Sequence, residues 1–228
     1  MRDLLGWLLT LTLTALLLTL IAVRPFVVDV IGMPSEAMAP TVIAGSYVRV
    51  DKLGFGIASL TNLYWRYAQP TRVLARGDLV IFRSRGEPML ARVVAVPGDE
   101  LRYGDDGVLK IDGTPVERVA VADATATAAG WETWREAIDG RSWHMRLWRT
   151  GKSARTSGRH EVQPGTVFVL GDSRDQSVDS RELGGIAIED VLGVVTGTSA
   201  QTGLRWPATP PSWAANQPAG GSASLAPN

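Results

Sequence analysis

The 228-residue chain contains no cysteine and only 2 histidines, His144 and His160. The missing thiols exclude disulfides, cysteine catalysis and Cys-ligated zinc, and they are compatible with either an oxidising or a reducing compartment. With so few histidines, a Ser-His-Asp triad or a His-rich metal site is not expected. A hydrolase built from this chain therefore needs another base.

The chain also lacks an excess of charge of either sign. Lys plus Arg and Asp plus Glu number 23 each, so the formal net charge is zero. Without a basic field, the composition gives no indication of a nucleic-acid partner, and we expect none. The length suits one sizeable hydrophobic core or a core with a smaller appendage, and two or more full domains are not expected.

A long uncharged run near the amino terminus predicts a transmembrane helix. Residues 4–23 carry no charged side chain, and about twenty residues at 1.5 Å each span the roughly 30 Å hydrocarbon core of a bilayer. A cleaved secretory signal, the alternative, has a shorter apolar region and a small-x-small cleavage site. The Ala-Val-Arg-Pro sequence at 22–25 supplies no such site. We therefore predict a membrane anchor over residues 1–24.

After the anchor, the pattern changes to short β-type runs separated by Gly, Pro and Asp. This pattern predicts a mostly β fold, an antiparallel sheet or partly closed barrel with a smaller inserted lobe. An Asp-Gly pair at 112–113 predicts a tight hairpin turn. The predicted strands are 47–53, 78–83, 90–96, 108–111, 166–170 and 191–197.

Composition divides the rest of the chain. Alanines followed by tryptophans among charges predict that 119–160 is the inserted lobe, which splits the β core into 25–118 and 161–200. The segment 207–228 consists mainly of Pro, Ala, Gly and Ser, too poor in large apolar side chains to offset ordering entropy, and predicts a disordered tail. The aromatic stretch at 63–67 fits an interfacial membrane anchor and a core segment equally well.

A first motif follows the anchor. Residues 33–41 read Met-Pro-Ser-Glu-Ala-Met-Ala-Pro-Thr. They resemble the first signature of the type I signal peptidases, Pro-Ser-x-Ser-Met-x-Pro-Thr, at every fixed position except one. The second serine of that signature, which attacks the scissile carbonyl in the family, is replaced by Ala37.

Further motifs of the same family follow in the same order. Residues 45–52 resemble a strand with its lead-in turn, and 76–82 resemble the strand that precedes the base-bearing one. The sequence Ala-Arg-Val-Val-Ala-Val-Pro-Gly-Asp at 91–99 resembles the base-bearing strand itself. The family has lysine at the first position of this motif, where this chain has Ala91.

The last motif is the most complete. Residues 171–181, followed by Gly184, resemble the final family signature, and the whole resemblance runs from about 24 to 197. It implies a membrane-bound serine endopeptidase that removes signal peptides from exported preproteins. The implied partners are the signal-peptide region and the lipid bilayer, with no cofactor. The implied location is the inner cell membrane, crossed once, with the β domain on the extracytoplasmic side.

The resemblance also implies roles for residues around the two alanines. Ser35 and the backbone N–H of Ala37 correspond to the oxyanion hole. Ser177 corresponds to a serine that orients the lysine, while Asp179 and Arg181 correspond to an ion pair that shapes their loop. The residues expected to line the substrate groove are Met33, Pro34, Glu36, Met38, Leu90 and Arg92.

A serine–lysine dyad explains why these positions matter. The serine needs a neighbouring base, and lysine serves only when burial lowers its pKa from about 10.4 by roughly three pH units. The methyl groups of Ala37 and Ala91 can neither attack nor accept a proton. The lysines of the chain are Lys52, Lys110 and Lys152, and none of them occupies the base position. We therefore predict no peptidase activity for the chain as written.

Several interpretations of this altered site remain open. The alanines fit a homologue that drifted into a non-catalytic role, and they equally fit deliberate replacement to trap substrate. A pseudo-peptidase that holds signal peptides or pilin-like substrates needs neither reacting group. A membrane-anchored scaffold without a peptide groove would leave Ser35 and Ser177 unexplained. A metal site among the aspartates of 171–181 is disfavoured because the run lacks the terminal Glu of a calcium loop.

Overall fold

The structure is a computed structural model, and it begins with a long helix, α1 (Arg2–Val27). Within α1, the hydroxyls of Thr10 and Thr14 donate to carbonyls one turn earlier, at 2.9 and 2.7 Å, which satisfies them inside the helix. No helix in the described part of the chain is both long enough and apolar enough to cross a membrane, so the predicted anchor is not confirmed. The described residues are 2–52, 57–58, 64–65, 72–104, 107–149 and 157–199.

Short strands predominate among the described residues after α1, and all of their pairings are antiparallel. The strands are β1 (Val28–Gly32), β2 (Tyr47–Asp51), β3 (Ile57–Ala58), β4 (Tyr64–Trp65), β5 (Leu79–Ser84), β6 (Glu87–Ala95), β7 (Glu100–Tyr103), β8 (Leu109–Ile111), β9 (Thr114–Pro115), β10 (Glu117–Val121), β11 (Trp131–Ile138), β12 (Arg141–Trp148), β13 (Gly158–Glu161), β14 (Thr166–Leu170), β15 (Ile186–Ala187) and β16 (Val191–Ser199). The short helices are α2 (Ala124–Ala128) and α3 (Ser180–Leu183), with single 3₁₀ turns at Arg174–Gln176 and Ile188–Asp190.

The largest sheet has 7 strands in the order β1-β2-β16-β5-β6-β14-β15. Every predicted strand overlaps an observed one, and 166–170 is reproduced without change as β14. The expectation of a partly closed barrel is not met, because no sheet among the described residues closes on itself. Among these residues the edge strands β1 and β15 each pair with one neighbour, β2 and β14 respectively, and not with each other.

Smaller sheets lie outside the seven-stranded one. β10, β11 and β12 form one of them, and β13, β7, β8 and β9 form another. β8 and β9 meet at the predicted Asp-Gly turn, where Asp112 and Gly113 have φ values of 51° and 79°. Two positive φ angles are the requirement of a type I′ turn, so this prediction is confirmed. The division into a core and an inserted lobe at 119–160 stays a prediction.

The alternation of side chains along β6 connects separate parts of the core. Ala91 and Val93 pack into one apolar cluster, while Leu90 packs into another with Met33 and Met38. Successive side chains of a strand point to opposite faces of a sheet, so β6 is buried on both. Strand β6 therefore lies directly against the segment that comes after β1.

Two predictions concern residues or side chains that lie outside the described part of the chain. The tail predicted at 207–228 lies outside the described residues. The side chains of the aromatic stretch at 63–67 also lie outside them, so the choice between membrane anchor and core segment stays open.

The packing of β16 against β2 gives a direct test of this sheet. A Cβ at Gly193 would lie 2.6 Å from the carbonyl oxygen of Asp51. We expect Gly193→Ala to lower the free energy of unfolding by about 1–3 kcal/mol, because backbone must move to relieve the overlap. Chemical denaturation of the full-length chain measures the change.

A glycine of the same strand provides the matched control. A Cβ at Gly197 would find its nearest neighbour, a side-chain atom of Arg49, at 3.8 Å. We expect Gly197→Ala to change stability far less than Gly193→Ala. Equal losses from the two substitutions would contradict the close approach of β16 to β2.

Candidate active site

The segment that carries Ala37 is a compact turn between β1 and β2. The N–H of Met33 donates to the carbonyl of Ser46 at 2.8 Å, and the N–H of Gly45 donates back to the carbonyl of Met33 at 2.7 Å. Met33 and Met38 are buried in the core. These two apolar anchors leave Ser35 and Ala37 half-buried at the surface.

Ala91 occupies a different environment, in the interior of the seven-stranded sheet. It lies on β6 opposite Val80 of β5 and is 1% exposed. Its cluster includes Val93 and Val169. Burial among valines is the setting that disfavours a charged amine, so a lysine at this position would have a lowered pKa.

The loop 171–181 approaches both alanine positions. The N–H of Ser173 donates to the carbonyl of Ala37 at 3.0 Å. Leu170 pairs with Arg92 across β14 and β6, and continuing this antiparallel register by one position places Gly171 opposite Ala91. The first residues of the loop therefore lie between the two positions where the family has its reacting groups.

Only glycine fits at position 171. A Cβ built there would lie 2.2 Å from the Cβ of Ser177 and 2.8 Å from the carbonyl oxygen of Ala37. Real Cβ atoms do not approach other heavy atoms this closely, so a larger residue would push the loop away from Ala37. Gly171 thus allows Ser177 and Ala37 to come together.

Asp179 is the centre of the hydrogen bonds inside this loop. Its carboxylate accepts from Ser177 Oγ at 2.6 Å, from the Gly171 N–H at 3.1 Å, and from Arg181 Nε and Nη2 at 2.8 and 2.7 Å. Burial acts to raise the pKa of Asp179, but the hydrogen bonds and charge of Arg181, helped by Ser177 and Gly171, hold that pKa below its usual value. Asp179 therefore stays ionised although it is completely buried.

A second buried ion pair ties the loop to β6 and to the Ala37 segment. Arg92 donates through Nε and Nη2 to Asp172 at 2.9 and 2.6 Å, and through Nη1 to the carbonyl of Gly77 at 3.0 Å. Thr41 donates its hydroxyl to Asp172. Arg92 was predicted to line the substrate groove, yet its guanidinium is occupied below the surface. Thr41 and Asp172 were missed as partners, although both are fixed positions of the motifs.

The other groove candidates separate into two groups. Pro34 is half-buried and Glu36 is exposed, so both lie where a peptide has access. The candidates that are buried in the core instead are Met33, Met38 and Leu90.

The hairpin β11–β12 packs against the loop 171–181. Glu136 forms a buried ion pair with Arg174, and the N–H of Arg146 donates to the carbonyl of Asp172 at 2.9 Å. The N–H of Trp148 donates to Asp175 Oδ2 at 2.8 Å. Sequence reasoning missed this support, because a charge among tryptophans gives no local indication of a buried partner far along the chain.

The aspartates of the loop are all engaged by protein groups. Asp172 is bound by Arg92, Asp175 by the Trp148 N–H and Asp179 by Arg181. Among the residues that the structure describes, no group of three or more His, Asp or Glu side chains is placed to hold a metal ion.

Comparison with known proteins gives consistent matches. The family model described as signal peptidase, peptidase S26, matches residues 4–199. Signal peptidase I of Pseudomonas fluorescens is 29% identical over 202 residues, covering 84% of this chain and 70% of the relative. Signal peptidase I of Bacillus caldolyticus is 28% identical over 173 residues, covering 75% and 79%. The solved signal peptidase I of Enterococcus faecalis V583 shares 24% identity at a TM-score of 0.34, covering 55% of this chain and 98% of that one.

The buried carboxylate of Asp179 predicts a defined dependence of stability on pH. Because its pKa is lowered in the folded state, its contribution is fully present above the unfolded value of about 3.9 and is lost as pH falls through the folded value. Asp179→Asn removes this contribution and leaves Arg181 buried without its partner. We expect a loss of about 3–5 kcal/mol at pH 7 and a weaker pH dependence below pH 4, measured by denaturant unfolding.

An exposed aspartate is the control for this substitution. The side chain of Asp139 is 58% exposed and pairs with Arg76 near the surface. We expect Asp139→Asn to cost less than about 1 kcal/mol. The interpretation of Asp179 fails if its substitution costs no more than this control, or if the acid sensitivity of stability is unchanged.

Proposed function

The chain belongs to the signal peptidase family, peptidase S26, and we propose that its site is that of a serine endopeptidase which removes signal peptides from exported preproteins. The family match confirms the resemblance drawn from the motifs. Relatives that bear the name signal peptidase I support the choice of substrate class. We further propose that Ala37 and Ala91 leave the chain without hydrolytic activity, so that it holds its peptide uncleaved.

One observation carries this proposal. Gly171, Ser177, Asp179 and Arg181 form a complete hydrogen-bonded loop against Ala37, although no nucleophile or base is present at the positions they support. In a comparable serine protease, loss of the nucleophile or base costs about a million-fold in rate. A supporting frame without its reacting pair is the arrangement expected of a peptidase site that retains its shape and has lost its chemistry.

Peptide binding does not depend on the missing groups. A signal peptide would lie across Ala37 as an extended strand, with backbone hydrogen bonds for affinity and small pockets that select Ala-like side chains. We assign direct contact to Pro34 and Glu36, which are accessible. Ser35 and the N–H of Ala37 would face the peptide carbonyl as an oxyanion hole. Residues that shape this surface from within are Met33, Met38, Leu90 and Arg92.

We place this site next to a membrane. The uncharged run 4–23 lies within α1, and large apolar side chains of that helix, such as Trp7 and Leu11, are exposed. Exposed apolar side chains along the described part of the helix, residues 6–19, fit a lipid environment. The proposed location is the inner cell membrane, crossed once by α1, with the β domain outside the cytoplasm.

Restoring the reacting pair tests the proposal. We expect the full-length variant Ala37→Ser with Ala91→Lys to cleave a signal-peptide substrate, while the unaltered chain and each single variant do not. Burial of the new amine should lower its pKa, so the rate of the double variant should rise with pH through a midpoint below about 10.4. Product release is followed by mass spectrometry, and circular dichroism checks that the variant is folded.

The remaining outcomes separate the alternatives. Cleavage by the unaltered chain would show that the inactivity proposal is wrong. A folded double variant that binds peptide without cleaving it would show that the frame is no longer organised for catalysis. If neither form binds a signal peptide, a membrane-anchored scaffold is the better description.

A further inference from the structure

Glu36 lies immediately before Ala37, and its carboxylate is fixed on both sides. Oε1 accepts from the N–H of Ala44 at 3.1 Å, within the same turn. Oε2 lies 3.3 Å from Nη2 of Arg146, which belongs to β12. The side chain of Glu36 is nevertheless 46% exposed. A held carboxylate therefore meets solvent directly beside the position of the nucleophile.

Arg146 is held more firmly than the carboxylate it contacts. Its Nε donates to Ser173 Oγ at 3.0 Å, and its Nη2 donates to Gln176 Oε1 at 3.1 Å. The guanidinium carbon also lies 4.3 Å from the ring centroid of Trp131. Burial lowers the pKa of Arg146, and the charge of Glu36 opposes this shift. Because only 15% of its side chain is exposed, a ligand meets Glu36 rather than Arg146.

The same contacts relate Glu36 to the proposed peptide path. Ser173, whose hydroxyl Arg146 holds, donates its backbone N–H to the carbonyl of Ala37 at 3.0 Å. The carboxylate and the backbone of position 37 thus belong to one connected frame. An extended peptide advances about 3.3–3.6 Å per residue, so the Glu36 side chain reaches one or two residues from the cleavage point.

We propose that Glu36, positioned by Arg146, is a specificity-determining residue that favours substrates with a basic side chain next to the cleavage point. The inference rests on the proposed function, since it places a peptide across Ala37. Small pockets would take the first and third residues before the cleavage point. The basic side chain therefore belongs to the second residue before that point or the first residue after it.

Peptide binding to the full-length, unaltered chain tests this specificity. Fluorescence anisotropy would compare labelled signal peptides that carry either Lys or Glu at each of the two positions. We expect the Lys peptide to bind about three-fold more tightly at one or both positions, the strength of a partly exposed ion pair. The preference should decrease at about 1 M salt, where the Debye length falls to about 3 Å.

Substitutions at Glu36 and at a control position test whether Glu36 causes the preference for a basic side chain. Glu36→Gln should abolish the preference, and Glu36→Asp should retain part of it. Glu161→Gln, which removes an exposed carboxylate on β13, is the control with the same charge change and should leave the preference intact. Absence of binding by every peptide would overturn the proposed function and this inference together. Equal binding of Lys and Glu peptides, or a preference that survives Glu36→Gln, would overturn the inference alone.

Discussion

The ion pair between Arg92 and Asp172 is the interaction on which the site depends. It joins the buried strand β6 to the loop 171–181, and through the Thr41 hydroxyl it also joins both to the turn that carries Ala37. Removing two charges from water is costly, and such a pair is tolerated only with good geometry and further hydrogen bonds. The two parallel contacts and the bond to the Gly77 carbonyl meet that requirement. The arrangement of the site is thus fixed by groups that take no part in hydrolysis.

The hairpin β11–β12 adds further contacts to the loop 171–181. Its buried Glu136 holds Arg174, and its backbone continues the hydrogen bonding to Asp172. Trp131 and Trp148 stack at 3.7 Å between ring centroids, which stiffens the end of the hairpin from which Arg146 reaches Glu36. A segment outside the family motifs therefore contributes directly to the shape of the surface around Ala37.

Local patterns in the sequence predicted the strands well and their assembly less well. β14 and the Asp112-Gly113 turn were predictable because alternation and positive φ are properties of neighbouring residues. The open sheet was not, because closure depends on the number, tilt and register of all the strands and not on neighbouring residues. The burial of Arg92 was missed for a similar reason, since its partner lies 80 residues away. The order of the motifs was enough to identify the loop 171–181. The contact between Glu136 and Arg174 of that loop is visible only in the three-dimensional structure.

The loop hydrogen bonds have a further consequence for a chain with alanine at position 91. Ser177 donates its hydroxyl to Asp179, so this hydroxyl has a hydrogen-bond partner without an amine nearby. An uncharged lysine in the same interior would have to be desolvated at the expense of folding free energy. The proposed loss of the dyad would therefore move the protein toward the stable end of a stability–activity trade-off. Without a buried lysine to accommodate, we expect the fold to tolerate destabilising substitutions elsewhere more readily.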